Sequence, residues 1–231
     1  MAIDQPMIEL VLDSLACQRG GRPVFEGLSV RVKAGHLLYL KGANGCGKST
    51  LLRILGGLLA PSSGTVSYDG TVLQQHDIPF SAYALYLGHQ NALKPIWTLR
   101  QNCDALCRIM TGRDAPVERL LETAEHFDLS RLLDQPVRYF SSGQKHRAAL
   151  MRFGLIDRPV WLMDEPTVGL DSKNRDALAG LMEKKLASGG IILAATHDPV
   201  AAAGTDFDVS AFAPASDNSG PFSSAFLEDW A

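Results

Sequence analysis

Apolar residues fall into distinct spacings along this 231-residue chain, and each spacing predicts an element. "HLLYLK", His36 to Lys41, is almost continuously apolar and predicts a buried strand, as do "VWLMDEP" from Val160 and the run that begins at Ile191. Leu51, Leu52, Ile54, Leu55 and Leu58 recur at helical spacing. The same period runs through "TLRQNCDALCRIM" and "PVERLLETAEHFDL", which predicts a helical region between the strands. From Ser210 the chain has little of either period and is rich in Ser, Ala and Pro, which predicts a mobile tail. Strands and helices in alternation give an α/β fold class.

Between the first of these strands and the helix that follows lies "GANGCGKST", Gly42 to Thr50. Without Cβ atoms, Gly42, Gly45 and Gly47 let successive backbone N–H groups turn inward around an anion. The helix starts near Lys48, so its unpaired N–H groups and positive dipole end point at the same place. The pattern G-x-x-x-x-G-K-[ST] between strand and helix is the phosphate-binding loop of nucleotide triphosphatases. It makes Gly42, Ala43, Asn44, Gly45, Cys46, Gly47, Lys48, Ser49 and Thr50 candidate nucleotide contacts, with Lys48 supplying charge and Ser49 a hydroxyl for magnesium. The strand "VWLMDEP" ends in two acids. Asp164 is suited to hold the metal and Glu165 to polarise the water that attacks the γ-phosphate.

Tyr139 to Pro159, "YFSSGQKHRAALMRFGLIDRP", offers a serine and glycine turn before a helix, with Ser141 and Ser142 as N-cap candidates. That is a second phosphate-binding surface in one chain. At this point the sequence resembles the ATP-binding-cassette (ABC) ATPases, whose signature L-S-G-G-Q is matched by "FSSGQ" from Phe140 to Gln144. The resemblance implies ATP and Mg2+ as cofactors and a P-loop ABC ATPase core with an N-terminal antiparallel β portion. It also implies a head-to-tail homodimer in which Ser141, Gly143 and Gln144 complete the partner's γ-phosphate site. Gln90 in "LGHQNALKP" matches the Q-loop, a metal and catalytic position; Asp171 in "GLDSKN" matches the D-loop; His197 in "AATHDP" matches the switch histidine. The domain expected is 1–205, with a helical sub-domain inserted at about 91–158 and a tail at 206–231. In ABC transporters the region near the Q-loop receives a membrane subunit, so Leu93, Pro95, Ile96 and Trp97 are candidates for docking or, equally, for packing the sub-domain. Ser142 and Phe140 depart from the signature and change the bulk near the trans phosphate. Arg19 falls near the position that stacks on adenine in relatives; a guanidinium can stack there, or remain solvated.

Composition narrows the class. The net charge of −3 gives no general electrostatic reason to bind nucleic acid or an anionic bilayer. The opening "MAIDQPMIEL" has no basic segment followed by an apolar run, so a cytoplasmic chain is expected. Cys17, Cys46, Cys103 and Cys107 show neither paired nor zinc-type spacing, and only Cys46 lies in the phosphate loop. Within the ABC class, "CQRGGRPVFEGLS", "YLGHQNALKPIWTLRQN" and "GGIILAATHDP" resemble bacterial haem-exporter ATP-binding subunits of cytochrome c maturation. That resemblance implies a peripheral subunit on the cytoplasmic face of the inner membrane, integral-membrane permease partners of CcmB and CcmC type, and haem handled by those partners. An exporter of lipid, drug or another small molecule, a soluble ABC ATPase acting on ribosomes or nucleic acid, and a non-hydrolysing nucleotide sensor remain alternatives at this stage.

Overall fold

The computed structural model describes residues 8–73, 82–198, 200 and 203–214. Two sheets organise them. An antiparallel sheet of order β2-β1-β4-β5 is built from β1 (Glu9–Arg19), β2 (Arg22–Lys33), β4 (Ser63–Tyr68) and β5 (Thr71–Val72). The second sheet has the order β6-β7-β8-β3-β9, from β3 (Leu37–Lys41), β6 (Ala84–Leu87), β7 (Val160–Asp164), β8 (Ile191–Ala195) and β9 (Thr205–Asp208). All its pairings are parallel, so every strand leaves the sheet at the same edge.

The strands read as continuous apolar runs because both faces of the parallel sheet are covered. Successive side chains of β3 go to opposite faces. Leu38 and Leu40 join Leu51, Leu52 and Ile54 of helix α1 (Lys48–Leu55) and Leu10, Leu12 and Phe25 of the antiparallel sheet. Leu37 and Tyr39 join a second cluster with Trp161, Met163 and Ile192. Helix α1 stops at Gly56, so Leu58, expected on its apolar face, is exposed instead.

The second cluster continues into the helices that the chain makes between β6 and β7. These are α2 (Leu99–Thr111), α3 (Val117–His126), α4 (Ser142–Leu150) and the short α5 (Arg152–Leu155). Leu99, Cys103, Phe127 and Phe153 share one apolar cluster with the sheet, and α6 (Ser172–Ala187) adds Leu178 and Met182 to it. Helix α2 begins at a capping box, Thr98 accepting from the Gln101 N–H while the Gln101 side chain accepts from the Thr98 N–H, and ends at Gly112 in the left-handed region.

The C-terminal boundary differs from the expectation. Strand β9 crosses the expected break at 205/206 and pairs with β3, the strand that feeds the phosphate loop. A short 3-10 turn, Val209–Phe212, follows, with Val209 fully buried and Phe212 stacked on Phe207 at 5.6 Å. The sequence conceals this strand because it lies at the sheet edge: "TDFD" carries one apolar residue in four and is mostly exposed. The rest of the expected tail, 215–231, lies outside the described residues.

Candidate functional site

Because all five strands run the same way, their exits converge. The phosphate loop follows β3, residues 88–90 follow β6, Asp164 and Glu165 end β7, and Thr196 and His197 follow β8. From these exits Lys48, Ser49, His89, Asp164, Glu165 and His197 line an open cleft of about 550 Å³, within the range of small-ligand sites, together with Asn44, Gly45, Gly47, Thr50 and Arg53.

The loop's glycines are required by close approach. A Cβ on Gly47 would stand 2.9 Å from both Val24 and Phe25 of β2, and φ there is 108°. On Gly42, φ 125°, a Cβ would run into the Ser210 hydroxyl and stand 2.7 Å from the Cys46 sulfur. Ser210 also accepts from the Ala43 N–H at 3.3 Å, so the C-terminal turn braces the loop from behind. Gly47 caps α1 with no side-chain hydrogen bond, which leaves that helix start open to an anion. Lys48 turns back on its own loop, Nζ donating to the carbonyls of Gly42 at 2.7 Å and Ala43 at 3.0 Å.

Ser49 Oγ donates to Asp164 Oδ1 at 3.0 Å, and Asp164 is buried. A hydroxyl and one carboxylate at a phosphate-binding loop match the habit of Mg2+, which keeps several waters and shares its coordination with substrate phosphates. No group of three or more His, Cys, Asp or Glu side chains placed to hold a metal ion occurs among the described residues. Glu165 adopts φ 52°, its N–H donating to the Ala195 carbonyl at 2.8 Å, and its Oε1 lies 3.7 Å from His197 Nε2. His197 is largely exposed, free to meet a ligand from the open side.

Arg19 and Val24 also line this cleft, a flat cation and an aliphatic side chain. Gln90 departs from the expectation. It is exposed and lines no part of the cleft, whereas the preceding residue, His89, does. Strand β6 ends at Leu87 and the backbone bends over 89–90, which turns in the first of two adjacent polar side chains.

The serine-glycine turn starts α4. Ser141 is its N-cap, accepting from the Gln144 N–H at 3.2 Å, while Gln144 Oε1 accepts from the Ser141 N–H at 2.8 Å. Ser141 and Ser142 are exposed. Ser142, Gly143 and His146 line a second, smaller cleft of about 220 Å³ shared with His89, Asn91, Asp164 and Glu165. Within one chain, then, Gly143 reaches the edge of the carboxylate site but Ser141 and Asp171 do not line either cleft. Asp171 caps α6, accepting from the N–H and the side-chain amide of Asn174 at 2.9 and 2.7 Å, which hold its carboxyl below the usual range.

His89, Arg53, Asn91 and His146 are site residues that the sequence reading missed. Arg152 lines neither cleft but bears on their walls: buried, it donates to the carbonyls of Ala149, Tyr86 and Asn91 at 2.8, 2.7 and 2.9 Å, and burial brings its pKa down to about 10. It ties α4 to the segment that carries His89.

Comparison with known proteins accords with this geometry. A family profile described as "ABC transporter" matches residues 25–168. A "Cytochrome c biogenesis ATP-binding export protein CcmA" of Rhodopseudomonas palustris is 39% identical over 199 residues, covering 86% of this chain and 96% of that protein. An ABC transporter ATP-binding protein from Pyrococcus furiosus superposes with a TM-score of 0.74 at 18% identity, over 89% of this chain and all of that one. A dimeric ATP-binding cassette in a post-hydrolysis state with ADP and Pi superposes with a TM-score of 0.71 at 24% identity, over 82% and 88%. The chain is an ATP-binding, ATP-hydrolysing protein that belongs to the ABC transporter family and, within it, resembles the cytochrome c biogenesis ATP-binding export proteins.

Proposed function

We propose that this ATPase works as a homodimer on the cytoplasmic face of the bacterial inner membrane and powers a haem-handling export step of cytochrome c maturation. The relative's printed name supports the process, and the haem reading follows from the resemblance of the sequence. Permease subunits of CcmB and CcmC type are the partners, and they rather than this chain handle haem. No helix among the described residues is long and apolar enough to cross a membrane.

The observation that carries the catalytic reading is the convergence of Lys48, Ser49, Asp164, Glu165 and His197 in one cleft. Lys48 leaves its two loop carbonyls for the β- and γ-phosphates. Ser49 and Asp164 would hold Mg2+, which would supply charge neutralisation at the phosphates. Glu165 takes a proton from the attacking water, and His197 donates to the γ-phosphate. Arg19 stacks on the base. Ser141, Gly143 and Gln144 of the partner copy close the far side of the nucleotide, with Asp171 at that same interface. Gln90 serves only if the 89–90 bend turns it inward on closure.

Docking has support from exposure. Ile96 and Trp97 stand 73% and 39% exposed, so they do not serve only to pack the helices, while Leu93 packs on the core. The experiment is to tag Glu165→Gln in its host, solubilise membranes gently with ATP present, identify copurifying subunits and record a haem spectrum. A stoichiometric haem-handling membrane protein supports the reading. Permeases for lipid, drug or another cargo would remove haem and keep the ATPase; recovery from the soluble fraction alone would remove the transporter.

A further inference from the structure

The turn that follows Glu165 is held from two sides. Toward β8, the Thr167 hydroxyl meets the Thr196 hydroxyl at 3.0 Å and donates to the Asp198 carbonyl at 3.2 Å. Toward α4, His146 Nε2 lies 2.8 Å from the Pro166 carbonyl oxygen. A carbonyl can only accept, so Nε2 carries the proton in this contact. One turn earlier on the same helix, Gly143 approaches the Gly169 carbonyl so closely that a Cβ would stand 3.3 Å from it. The first turns of α4 are therefore hydrogen-bonded to one end of the 166–169 turn and lie close against the other.

Glu165 has little freedom of its own. Its backbone sits in the left-handed region, uncommon for a residue with a side chain, and its N–H is fixed on Ala195. Where the carboxylate points then depends on the next peptide, and His146 grips the carbonyl of the residue that follows. We infer that His146 is a positioning residue for Glu165. Through the Pro166 carbonyl, it transmits displacement of the Ser141–Gly143 helix start to the carboxylate of the same chain. The inference rests on the proposed trans role of that helix start. Given it, nucleotide seated against one copy's α4 sets how well that copy's own Glu165 is aimed.

Burial holds His146 below the ordinary histidine range, against the pull of the Pro166 hydrogen bond. At neutral pH it thus acts as a neutral donor rather than as a charge, and an amide can replace it. The test uses full-length wild type, His146→Ala, His146→Gln and His146→Asn, in phosphate release with kcat and KM resolved and in binding of a fluorescent ADP. Alanine is expected to lower kcat about tenfold or more, the scale of a small misplacement of a reacting group, with KM and ADP affinity within about twofold. Glutamine, whose amide reaches the same carbonyl, should stay within about threefold of wild type, and the shorter asparagine should not. If alanine does not fold, the glutamine and asparagine pair carries the test. A wild-type kcat in the alanine variant, or glutamine and asparagine equally impaired, overturns the inference alone. A wild type that releases no phosphate takes the hydrolytic reading down with it.

Discussion

The hydroxyl of Ser49 donates to Asp164 Oδ1 at 3.0 Å, joining groups 115 residues apart in sequence. The bond brings the first turn of α1 to the end of β7 and sets side by side the two oxygens proposed above as ligands of a metal–nucleotide complex. Replacing Ser49 by alanine should leave the fold intact, because one such bond contributes about 1 kcal/mol. It should raise the Mg2+ concentration needed for half-maximal phosphate release about tenfold. A magnesium titration at fixed ATP checks this, and an unchanged midpoint would remove Ser49 from the metal site.

Glu165→Gln should keep nucleotide binding and lower phosphate release by about two to four orders of magnitude, the loss expected for a positioned base. It should also shift the protein to dimer in sizing chromatography with ATP. Lys48→Ala should do the opposite, weakening ATP binding itself. Near-normal turnover of Glu165→Gln would sink the assignment.

Cys17, Cys103 and Cys107 are buried, whereas Cys46 is partly exposed in the phosphate loop. Burial pushes the Cys103 thiol up to about 12, which further disfavours its reaction. A maleimide should therefore label one site per chain first, abolish nucleotide binding, and be slowed by bound ATP. Mass spectrometry of the labelled peptide, with and without ATP, checks it; equal inactivation under both conditions would contradict it.

Lys185 and Asp157 pair at 3.0 Å, the lysine stem covers Gly190, and the ammonium nitrogen lies 5.7 Å from the centre of the Trp161 ring. The Lys185 hydrogen bond holds the Asp157 carboxyl below its ordinary range. A carboxyl with a depressed folded pKa stabilises above its unfolded pKa and loses that contribution as pH falls through the folded value. Asp157→Asn should thus destabilise the protein slightly at pH 7, by the ~0.5 kcal/mol of a solvent-screened pair, and make no difference at a pH below the depressed folded value. Equal losses at both pH values would mean that the pair acts by packing, not by charge.

Much of this site is legible in the sequence because its signals are local. The phosphate loop carries its glycines, lysine and serine within nine residues, and β7 announces itself as an apolar run closed by two acids. What was not legible depends on direction. Whether His89 or Gln90 enters the cleft is decided by where β6 ends, one residue either way. His146 sits in an ordinary helical stretch, and only the approach of α4 to the 166–169 turn gives it a partner. Strand β9 pairs through its backbone beside a central strand, so its side chains carry almost no pattern.

That last strand has a consequence for the order in which the protein becomes itself. The ribosome delivers residues 42–50 early, yet β3 finds its outer neighbour only when 205–208 emerge, and Ala43 meets Ser210 later still. A nascent chain already long enough to own every residue of the phosphate loop still lacks the brace behind it. Full nucleotide competence should arrive only once residue 210 has emerged, so a cassette cut short before that point is poorly equipped to capture ATP.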